Sequence, residues 1–159
     1  MALTLRKAVP ADPALIVSLI RELAEYEQLA HECHARVELI EQWVFGPNAK
    51  AHCVMAEWDG APAGFALYFY NFSTFLAKPG IYIEDLFVRP DFRRKGIARA
   101  LFAQLAKQAL AEGCGRLEWW VLDWNADAIA FYQSLGAQAM DEWTVQRISG
   151  TALEALAAK

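Results

Sequence analysis

The sequence has few cysteines and no long uninterrupted run of apolar residues. The three cysteines, Cys33, Cys53 and Cys114, are odd in number and far apart, so we expect buried or idle thiols rather than a disulfide framework. No apolar run is long enough to cross a bilayer, and Met1–Lys7 lacks the layout of a signal peptide. These absences predict a cytoplasmic protein that does not act at a membrane.

Basic residues are not in excess. The chain has 15 Lys and Arg against 19 Asp and Glu, which gives a net charge of −4. That balance argues against general nucleic-acid binding, which requires a basic face, and is compatible with a small cationic substrate. With 159 residues and no repeat, low-complexity segment or interdomain linker, residues 1–159 are predicted to form a single domain.

Groups of metal-ligating residues are also scarce. His31, Cys33 and His34 lie close together, but no second pair follows at zinc-site spacing, so we expect no metal. Cys114 stands between two glycines without a neighbouring base in the sequence, and it is therefore not a predicted nucleophile.

The chain is organised around Gly80–Glu112, where a strand pattern passes through a basic loop into a helix pattern. The strand reads GIYIEDLFV and stops before Pro90, which cannot continue a ladder. The helix is predicted from apolar residues that recur every four positions: Ile97, Leu101, Leu105 and Ala109. The intervening loop, Arg93–Ala98, presents free backbone N–H groups at a helix N-terminus, where an anion such as a pyrophosphate binds well. Gly96 lets a ligand approach the backbone, although the spacing matches neither a Walker loop nor a dinucleotide fingerprint.

Patterns elsewhere predict a mixed α/β sheet with helices on both faces. Strand patterns cover Leu3–Val9, His52–Trp58, Ala63–Tyr70, Arg116–Leu122 and Thr144–Ile148. Helix patterns cover Pro13–Tyr26, Val37–Phe45, Asn125–Leu135 and Thr151–Ala158. Asp12 is the predicted N-cap of the first helix, with Pro13 at the first helical position. A polar and aromatic loop is predicted for Asn71–Pro79.

Two of these segments resemble a known family. Arg93-x-x-Gly96-x-Ala98, between a strand and a helix, is similar to the R/Q-x-x-G-x-G/A signature of the GNAT superfamily of acyl-CoA-dependent N-acyltransferases. WNADAIAFYQSLGA at Trp124–Ala137 resembles the second signature of that superfamily. The segments YIEDLFV and ELAEYE look most like its spermidine/spermine (diamine) acetyltransferase branch.

The resemblance implies an α/β fold and acetyl-CoA as co-substrate. The implied sheet is mixed and mostly antiparallel, with about six to seven strands, about four flanking helices and a splayed strand pair at the acetyl-CoA site. Backbone groups of Leu86, Phe87 and Val88 would hold the acetyl carbonyl and the pantetheine amides. The remaining implied cofactor contacts are Arg93, Arg94, Lys95, Gly96, Ile97, Ala98, Arg99, Asn125, Asp127, Ala128 and Tyr132. Asn125 is also a candidate N-cap of its helix.

Acetyl transfer to an amine requires a base, because an aliphatic ammonium with a pKa of about 10 has no lone pair, and a proton donor for the leaving thiolate. The resemblance makes Tyr132 the candidate proton donor and Glu84 the candidate base, which would act through water. Alternatives are that Phe131–Tyr132 is aromatic packing and that the acidic residues form a salt bridge to a nearby arginine. Glu84 and Asp85 are adjacent in a strand, so only one of them is expected to face a given pocket.

The resemblance also implies an amine-binding site. Its candidate residues are Tyr26, Glu27, Glu84, Glu118, Trp119, Trp120 and Glu142. Tryptophan faces can hold a cation, but adjacent aromatics in a central strand are also typical of core, and Tyr26 and Glu27 also fit a solvated helix end. The predicted activity is acetylation of a small cationic amine, a polyamine, a diamine or a lysine-like amino acid, by direct attack in a homodimer. A protein or peptide acetyltransferase and a non-catalytic acyl-CoA sensor remain as alternatives.

Overall fold

The computed structural model describes residues 2–159 and divides the chain into two compact units, Met1–Trp120 and Val121–Lys159. The first unit contains β1 (Leu3–Lys7), α1 (Pro13–Tyr26), α2 (Val37–Ile40), β2 (His52–Trp58), β3 (Ala61–Ser73), β4 (Lys78–Val88), α3 (Ile97–Ala111) and β5 (Leu117–Trp119). The second contains α4 (Ala126–Ser134) and α5 (Gly150–Ala157). The single-domain organisation stays a prediction.

The five strands form one mixed sheet in the order β1-β2-β3-β4-β5. Each pair from β1 to β4 is antiparallel, and β4 pairs with β5 in parallel. The predicted mixed, mostly antiparallel sheet is therefore confirmed. Within residues 2–159, however, the sheet has five strands rather than the predicted six to seven, and there are five α-helices rather than about four.

The predicted last strand, Thr144–Ile148, is wrong for the described residues. This segment is exposed throughout and has no regular secondary structure. Its apolar and β-branched residues fit a strand pattern, but a strand exists only where a neighbour accepts and donates its backbone hydrogen bonds. The predicted loop Asn71–Pro79 is wrong as well, because the β3–β4 hairpin continues through Ser73 and resumes at Lys78.

The core lies on both faces of the sheet. On one face α1 contributes Ile16, Leu19 and Leu23 to a cluster that includes Leu67 of β3 and Phe87 of β4. On the other face lies α3, whose Gln108 donates a hydrogen bond to the Tyr68 hydroxyl at 2.8 Å. Because neighbouring residues of a strand point to opposite faces, Leu67 and Tyr68 place α1 and α3 on opposite sides, as predicted.

The start of α1 is held by an ion pair rather than by a capping bond. The Asp12–Pro13 boundary of the helix is confirmed, but the Asp12 carboxylate makes no side-chain cap bond to the helix. It accepts hydrogen bonds from two Arg6 nitrogens at 2.8 and 2.9 Å and from the Val9 N–H at 2.7 Å. Arg6 also contacts Glu57 at 3.2 Å, so β1, β2 and the first turn of α1 meet at one guanidinium.

We predict that Asp12→Asn lowers the free energy of unfolding at neutral pH by roughly 2–4 kcal/mol, because it leaves Arg6 without its main charged partner. The hydrogen bond with Arg6 is the main cause that lowers the pKa of Asp12 in the folded state. Its stabilising contribution is therefore present above the ordinary carboxyl pKa of about 4 and is lost as the pH falls through the folded-state value. Urea unfolding of both proteins should show a difference that shrinks in acid.

The exposed Asp91 provides the matched control, since Asp91→Asn removes one carboxylate at an exposed position and should change stability by less than about 0.5 kcal/mol. An Asp12→Asn protein as stable as wild type at pH 7 would contradict the assigned role.

Candidate active site

An extra residue in β4 shapes the candidate site. Tyr68 of β3 pairs with Ile83 and the adjacent Leu67 pairs with Asp85, so Glu84 has no partner on β3. This is a β-bulge, and it breaks the alternation of side chains along β4. Asp85 thereby joins Leu67 on the α1 face of the sheet, whereas Ile83 lies on the α3 face. The expectation that Glu84 and Asp85 point cleanly to opposite faces is corrected by this bulge.

The β4–β5 pair separates just before the bulge. Among the described residues the parallel ladder covers only Ile81–Ile83 on β4 and Leu117–Trp119 on β5, while β4 continues to Val88. The half of β4 that contains Leu86, Phe87 and Val88 is therefore paired on one side by β3 and lies outside the ladder to β5. This is the arrangement that the expected splayed pair requires, and it leaves backbone groups that a ligand amide can reach.

The basic loop leads directly into α3. Gly96 has φ of +77° immediately before the first helical residue, Ile97, so glycine is needed here for its left-handed backbone. Nothing lies within 4 Å of a Cβ built on Gly96, so the space over the loop is open. The first turn of α3 contains no acidic residue, which keeps its positive end available to an anion. The loop thus has the local geometry of an anion site.

Two of the basic side chains of this loop lie over aromatic rings. The Arg93 guanidinium lies 5.1 Å from the centre of the Tyr26 ring at the end of α1 and 5.7 Å from that of Phe87. The Lys95 ammonium lies 5.1 Å from the centre of the Trp58 ring. Arg94 and Arg99 are exposed, and Ala98 is half-buried in the first turn of α3.

Three carboxylates influence one another beside the bulge. Burial, with the charges of Glu84 and Glu27 as smaller causes, raises the pKa of Asp85 to about 7. The pKa of Glu27 is raised by burial and by Glu84. Glu84 itself is exposed. The end of α1 and the bulge of β4 therefore form an acidic cluster, Glu27, Glu84 and Asp85, in which the pKa values of Glu27 and Asp85 are raised.

Aromatic groups continue this acidic surface toward β5. The pKa of Tyr82 is raised by burial and then by Glu84, Glu118 and Asp85. Tyr82 meets Trp120 edge to face, with ring centres 5.7 Å apart. Trp119 instead packs on Phe102 of α3, with ring centres 4.7 Å apart. Of the two predicted tryptophans, Trp120 lies beside the acidic surface and Trp119 packs against α3.

Sequence reasoning did not select Tyr82 or assign a role to Asp85, because the surroundings of both residues depend on pairing across the sheet.

Glu118 is engaged by other side chains. Its Oε1 accepts from Asn71 Nδ2 at 3.1 Å and lies 3.3 Å from Arg116 Nε. Asn71 reaches β5 by crossing Gly80 of β4, where a Cβ would stand 2.5 Å from the Asn71 Oδ1. The side chain of Glu118 is therefore held in place by the sheet, and its role toward a substrate stays a prediction.

The second unit contains the other predicted residues. Asn125 is the N-cap of α4, as predicted, because its side chain accepts from the Ala128 N–H at 3.3 Å. Asp127 lies in the first turn of α4. The Phe131 and Tyr132 rings contact each other with centres 5.9 Å apart. Glu142 is exposed in the irregular segment that follows α4.

A separate cavity of about 320 Å³ lies on the α3 face of the sheet. Its lining includes Arg6, Lys7, His52, Tyr68, Tyr70, Gln104, Gln108 and Glu112. Several of its polar groups bond to one another: the Tyr70 hydroxyl donates to Glu112 at 2.5 Å and accepts from Gln108 at 3.1 Å. Tyr70, Gln108 and Glu112 are therefore engaged with one another in the wall of this cavity.

In the described part of the chain, no three His, Cys, Asp and Glu side chains are grouped so as to hold a metal ion. Across residues 2–159 no helix combines the length and the apolar character that a membrane span requires.

The chain is similar to a known protein family and to several known proteins. Residues 16–137 match the model of the acetyltransferase (GNAT) family. A thialysine N-epsilon-acetyltransferase of Bos taurus is 37% identical over 98% of this chain and 97% of its own length. An L-ornithine N5-acetyltransferase of Arabidopsis thaliana is 51% identical over 62% of this chain, which spans 43% of that relative. A spermidine/spermine N(1)-acetyltransferase-like protein of Homo sapiens is 27% identical over 84% of this chain and 20% of its own length.

Among solved structures, an integron cassette protein from the mobile metagenome of V. cholerae is similar over the whole chain. It has a TM-score of 0.83 and 27% identity, and the match covers 100% of this chain and 99% of that one. The overall α/β arrangement of one mixed sheet with flanking helices is therefore shared with a protein of known structure.

We predict that Asp85→Asn stabilises the protein more at about pH 8 than at about pH 5. The folded-state pKa of about 7 lies above the unfolded value of about 4, so between these values the folded state binds more protons. The free energy of unfolding of the wild type therefore falls as the pH rises through this window, and the Asn variant lacks that fall. We expect a difference of roughly 1–3 kcal/mol between the two pH values.

Urea unfolding at both pH values checks this prediction, with Glu25→Gln, an exposed carboxylate on α1, as the matched control. A stability change that is the same at both pH values would show that Asp85 is ordinarily ionised.

Proposed function

The chain belongs to the acetyltransferase (GNAT) family, and we propose that within this family it moves an acetyl group from acetyl-CoA to a primary amine of a small cationic acceptor. The observation that carries the proposal is the acidic cluster of Glu27, Glu84 and Asp85 beside the strand that leaves its parallel ladder. Burial and neighbouring negative charge raise the pKa values of Glu27 and Asp85, and a cation that binds among these carboxylates stabilises their ionised forms. The cluster therefore suits an acceptor with at least one ammonium group.

We propose that acetyl-CoA binds along the second half of β4 and at the start of α3. Backbone groups of Leu86–Val88 would pair with its amides, and the N–H groups of the Gly96 loop would bind its pyrophosphate. The open space over Gly96 and the end of the β4–β5 ladder at Ile83 support this fit. Further proposed contacts are those implied by the family motifs: Arg94, Ile97, Ala98, Arg99, Asn125, Asp127 and Ala128.

The proposed reaction is direct attack of the amine nitrogen on the thioester carbonyl carbon. The attacking ammonium must first lose a proton, which the acidic pair Glu84–Asp85 would accept, through water where Glu84 is the acceptor. Asp85 suits this role because burial, together with the charges of Glu84 and Glu27, raises its pKa to about 7, close to neutral pH. The C–S bond then breaks, and the Tyr132 hydroxyl would protonate the leaving thiolate. No covalent enzyme intermediate is needed.

The acceptor is best described as a diamine in the broad sense. A thialysine and an ornithine acetyltransferase are among the relatives, and both named substrates carry a side-chain amine beside an amino-acid group. We place such amino acids first and polyamines second. A second ammonium could lie on the aromatic surface of Tyr82 and Trp120, where ring faces attract cations. Glu118 and Glu142 stay candidates for further contacts.

Three broader properties are proposed with this function: a single-domain organisation, a cytoplasmic location and a homodimer. In the second unit Trp143 is 78% exposed and Val145 and Ile148 are about half exposed, and such apolar surface is frequently covered by a partner. Sedimentation equilibrium at micromolar concentration should return twice the chain mass of 17.8 kDa. A monomer under those conditions would contradict the homodimer.

We predict that purified protein releases CoA from acetyl-CoA when supplied with ornithine, lysine, thialysine, putrescine or spermidine. Tyr132→Phe keeps the ring but removes the proton donor, so kcat should fall by about 10²–10⁴-fold while acetyl-CoA affinity changes little. Glu27→Gln should raise the KM for the amine with a smaller effect on kcat, because it removes a charge that binds the cation. A thiol-reactive dye follows CoA release.

Glu25→Gln is the control for Glu27, since it removes an exposed carboxylate from the same helix, and Phe131→Leu controls for aromatic packing beside Tyr132. Turnover only on peptides would replace the small acceptor with a macromolecular one. Acetyl-CoA binding without turnover on any amine or peptide would instead indicate a sensor. A fully active Tyr132→Phe enzyme would remove the assigned proton donor.

A further inference from the structure

Arg93 opens the motif of the anion-binding loop, yet its side chain turns back onto the protein. Its guanidinium lies over the ring of Tyr26, the last residue of α1, and over the ring of Phe87 in β4. Its Nε also donates a hydrogen bond to the backbone carbonyl of Val88 at 3.0 Å. One side chain therefore connects the end of a helix, a side chain of β4 and the last carbonyl of β4.

These contacts compete with a role as a phosphate ligand. The face of an aromatic ring attracts a guanidinium, and the hydrogen bond to a backbone carbonyl adds to that attraction. To reach a pyrophosphate, Arg93 would have to give up these partners. Arg94, the next residue, is exposed and has φ of +62°, and the loop N–H groups are at the N-terminus of α3 whichever way Arg93 points.

The residues that Arg93 holds lead directly to the acidic cluster. Tyr26 is followed by Glu27, whose pKa is raised by burial and by the charge of Glu84 on β4. The backbone there is closed by three hydrogen bonds, from the N–H groups of Glu27, Gln28 and Leu29 to carbonyls within α1. Gln28 has φ of +63°, an uncommon conformation for a residue with a side chain. A tether at Tyr26 is well placed to keep this end of the helix from fraying.

We propose that Arg93 is a positioning residue that clamps the end of α1 onto β4 and so places Glu27 in the amine site, and that it does not bind the pyrophosphate of acetyl-CoA. The amine-site part of this proposal rests on the proposed function. The clamp links the cofactor loop to Glu27, the carboxylate proposed to bind the acceptor, because Arg93 lies three residues before Gly96 in the loop that precedes α3. Its loss weakens acceptor binding while leaving the anion site complete.

Arg93→Gln tests the proposal through three measurements. We expect the KM for the amine to rise about fivefold or more, because a ring contact and a hydrogen bond are lost, with kcat changed less. The Kd of acetyl-CoA, titrated without amine, should stay within about twofold of wild type. Hydrogen exchange at the amides of Glu27, Gln28 and Leu29 should accelerate. Arg93→Lys keeps a cation but lacks the Nε–H donor, so it should restore part of the exchange protection.

Matched variants separate the clamp from general effects of charge. Lys107→Gln removes one positive charge from the exposed side of α3 and should leave all three measurements unchanged. Arg94→Gln is the comparison within the loop and should weaken acetyl-CoA binding without altering exchange at the end of α1. In a Tyr26→Leu background, Arg93→Gln should have little further effect on the amine KM, because the two residues act as one contact.

A rise of tenfold or more in the acetyl-CoA Kd of Arg93→Gln, with unchanged exchange at the end of α1, would overturn the proposal and make Arg93 a phosphate ligand. If wild-type protein acetylates no amine, the proposed function fails, but acetyl-CoA affinity and exchange still decide whether Arg93 clamps α1.

Discussion

The β-bulge at Glu84 is the feature on which the rest of the candidate site depends. Side chains alternate along a strand with a period of two, so one extra residue moves every later side chain to the other face. Before the bulge, Ile83 shares the α3 face with Tyr68; after it, Asp85 and Phe87 share the α1 face with Leu67 and Phe65. Without the extra residue, Asp85 would follow Ile83 onto the α3 face, away from Glu27.

Placing a carboxylate beside an apolar cluster and two other acids is electrostatically unfavourable. Burial disfavours the charged form, and Glu84 and Glu27 add like-charge repulsion, which together raise the pKa of Asp85 to about 7. The positive charge of a bound cation offsets both the cost of burying the carboxylate and the repulsion between the acids. The arrangement that makes the ionised carboxylates less stable therefore favours an ammonium ligand. It also provides a carboxylate that gains or loses a proton near neutral pH.

Arginines hold α1 against the sheet along its length, and this keeps the acidic cluster together. Arg6 binds Asp12 where the helix begins, and Arg89 forms a bidentate ion pair with Glu22 at 2.9 and 3.0 Å. Arg93 contacts Tyr26 where the helix ends. Arg89 follows β4 directly and Arg93 lies a few residues further along the same segment, so the segment that leads to the Gly96 loop also contacts the helix that precedes Glu27. In the proposed enzyme, this one segment therefore contributes to the binding of both substrates.

Local patterns by themselves determined much of this protein. The period of apolar residues located α3, the Asp12–Pro13 pair located the start of α1, and the cap at Asn125 located α4, because these signals act within one or two helical turns. The family motifs identified the loop around Gly96. Partners distant in the chain decided the rest. The bulge depends on the register of β4 against β3, and the different positions of Trp119 and Trp120 depend on packing with Phe102 and Tyr82. Among the described residues, 144–148 form no strand because no neighbouring strand pairs with them. Only the tertiary structure could select Asp85, because its pKa is raised mainly by burial, to which the adjacent Glu84 and then Glu27 on another element add, and neither the burial nor the approach of Glu27 is visible in the residues beside it.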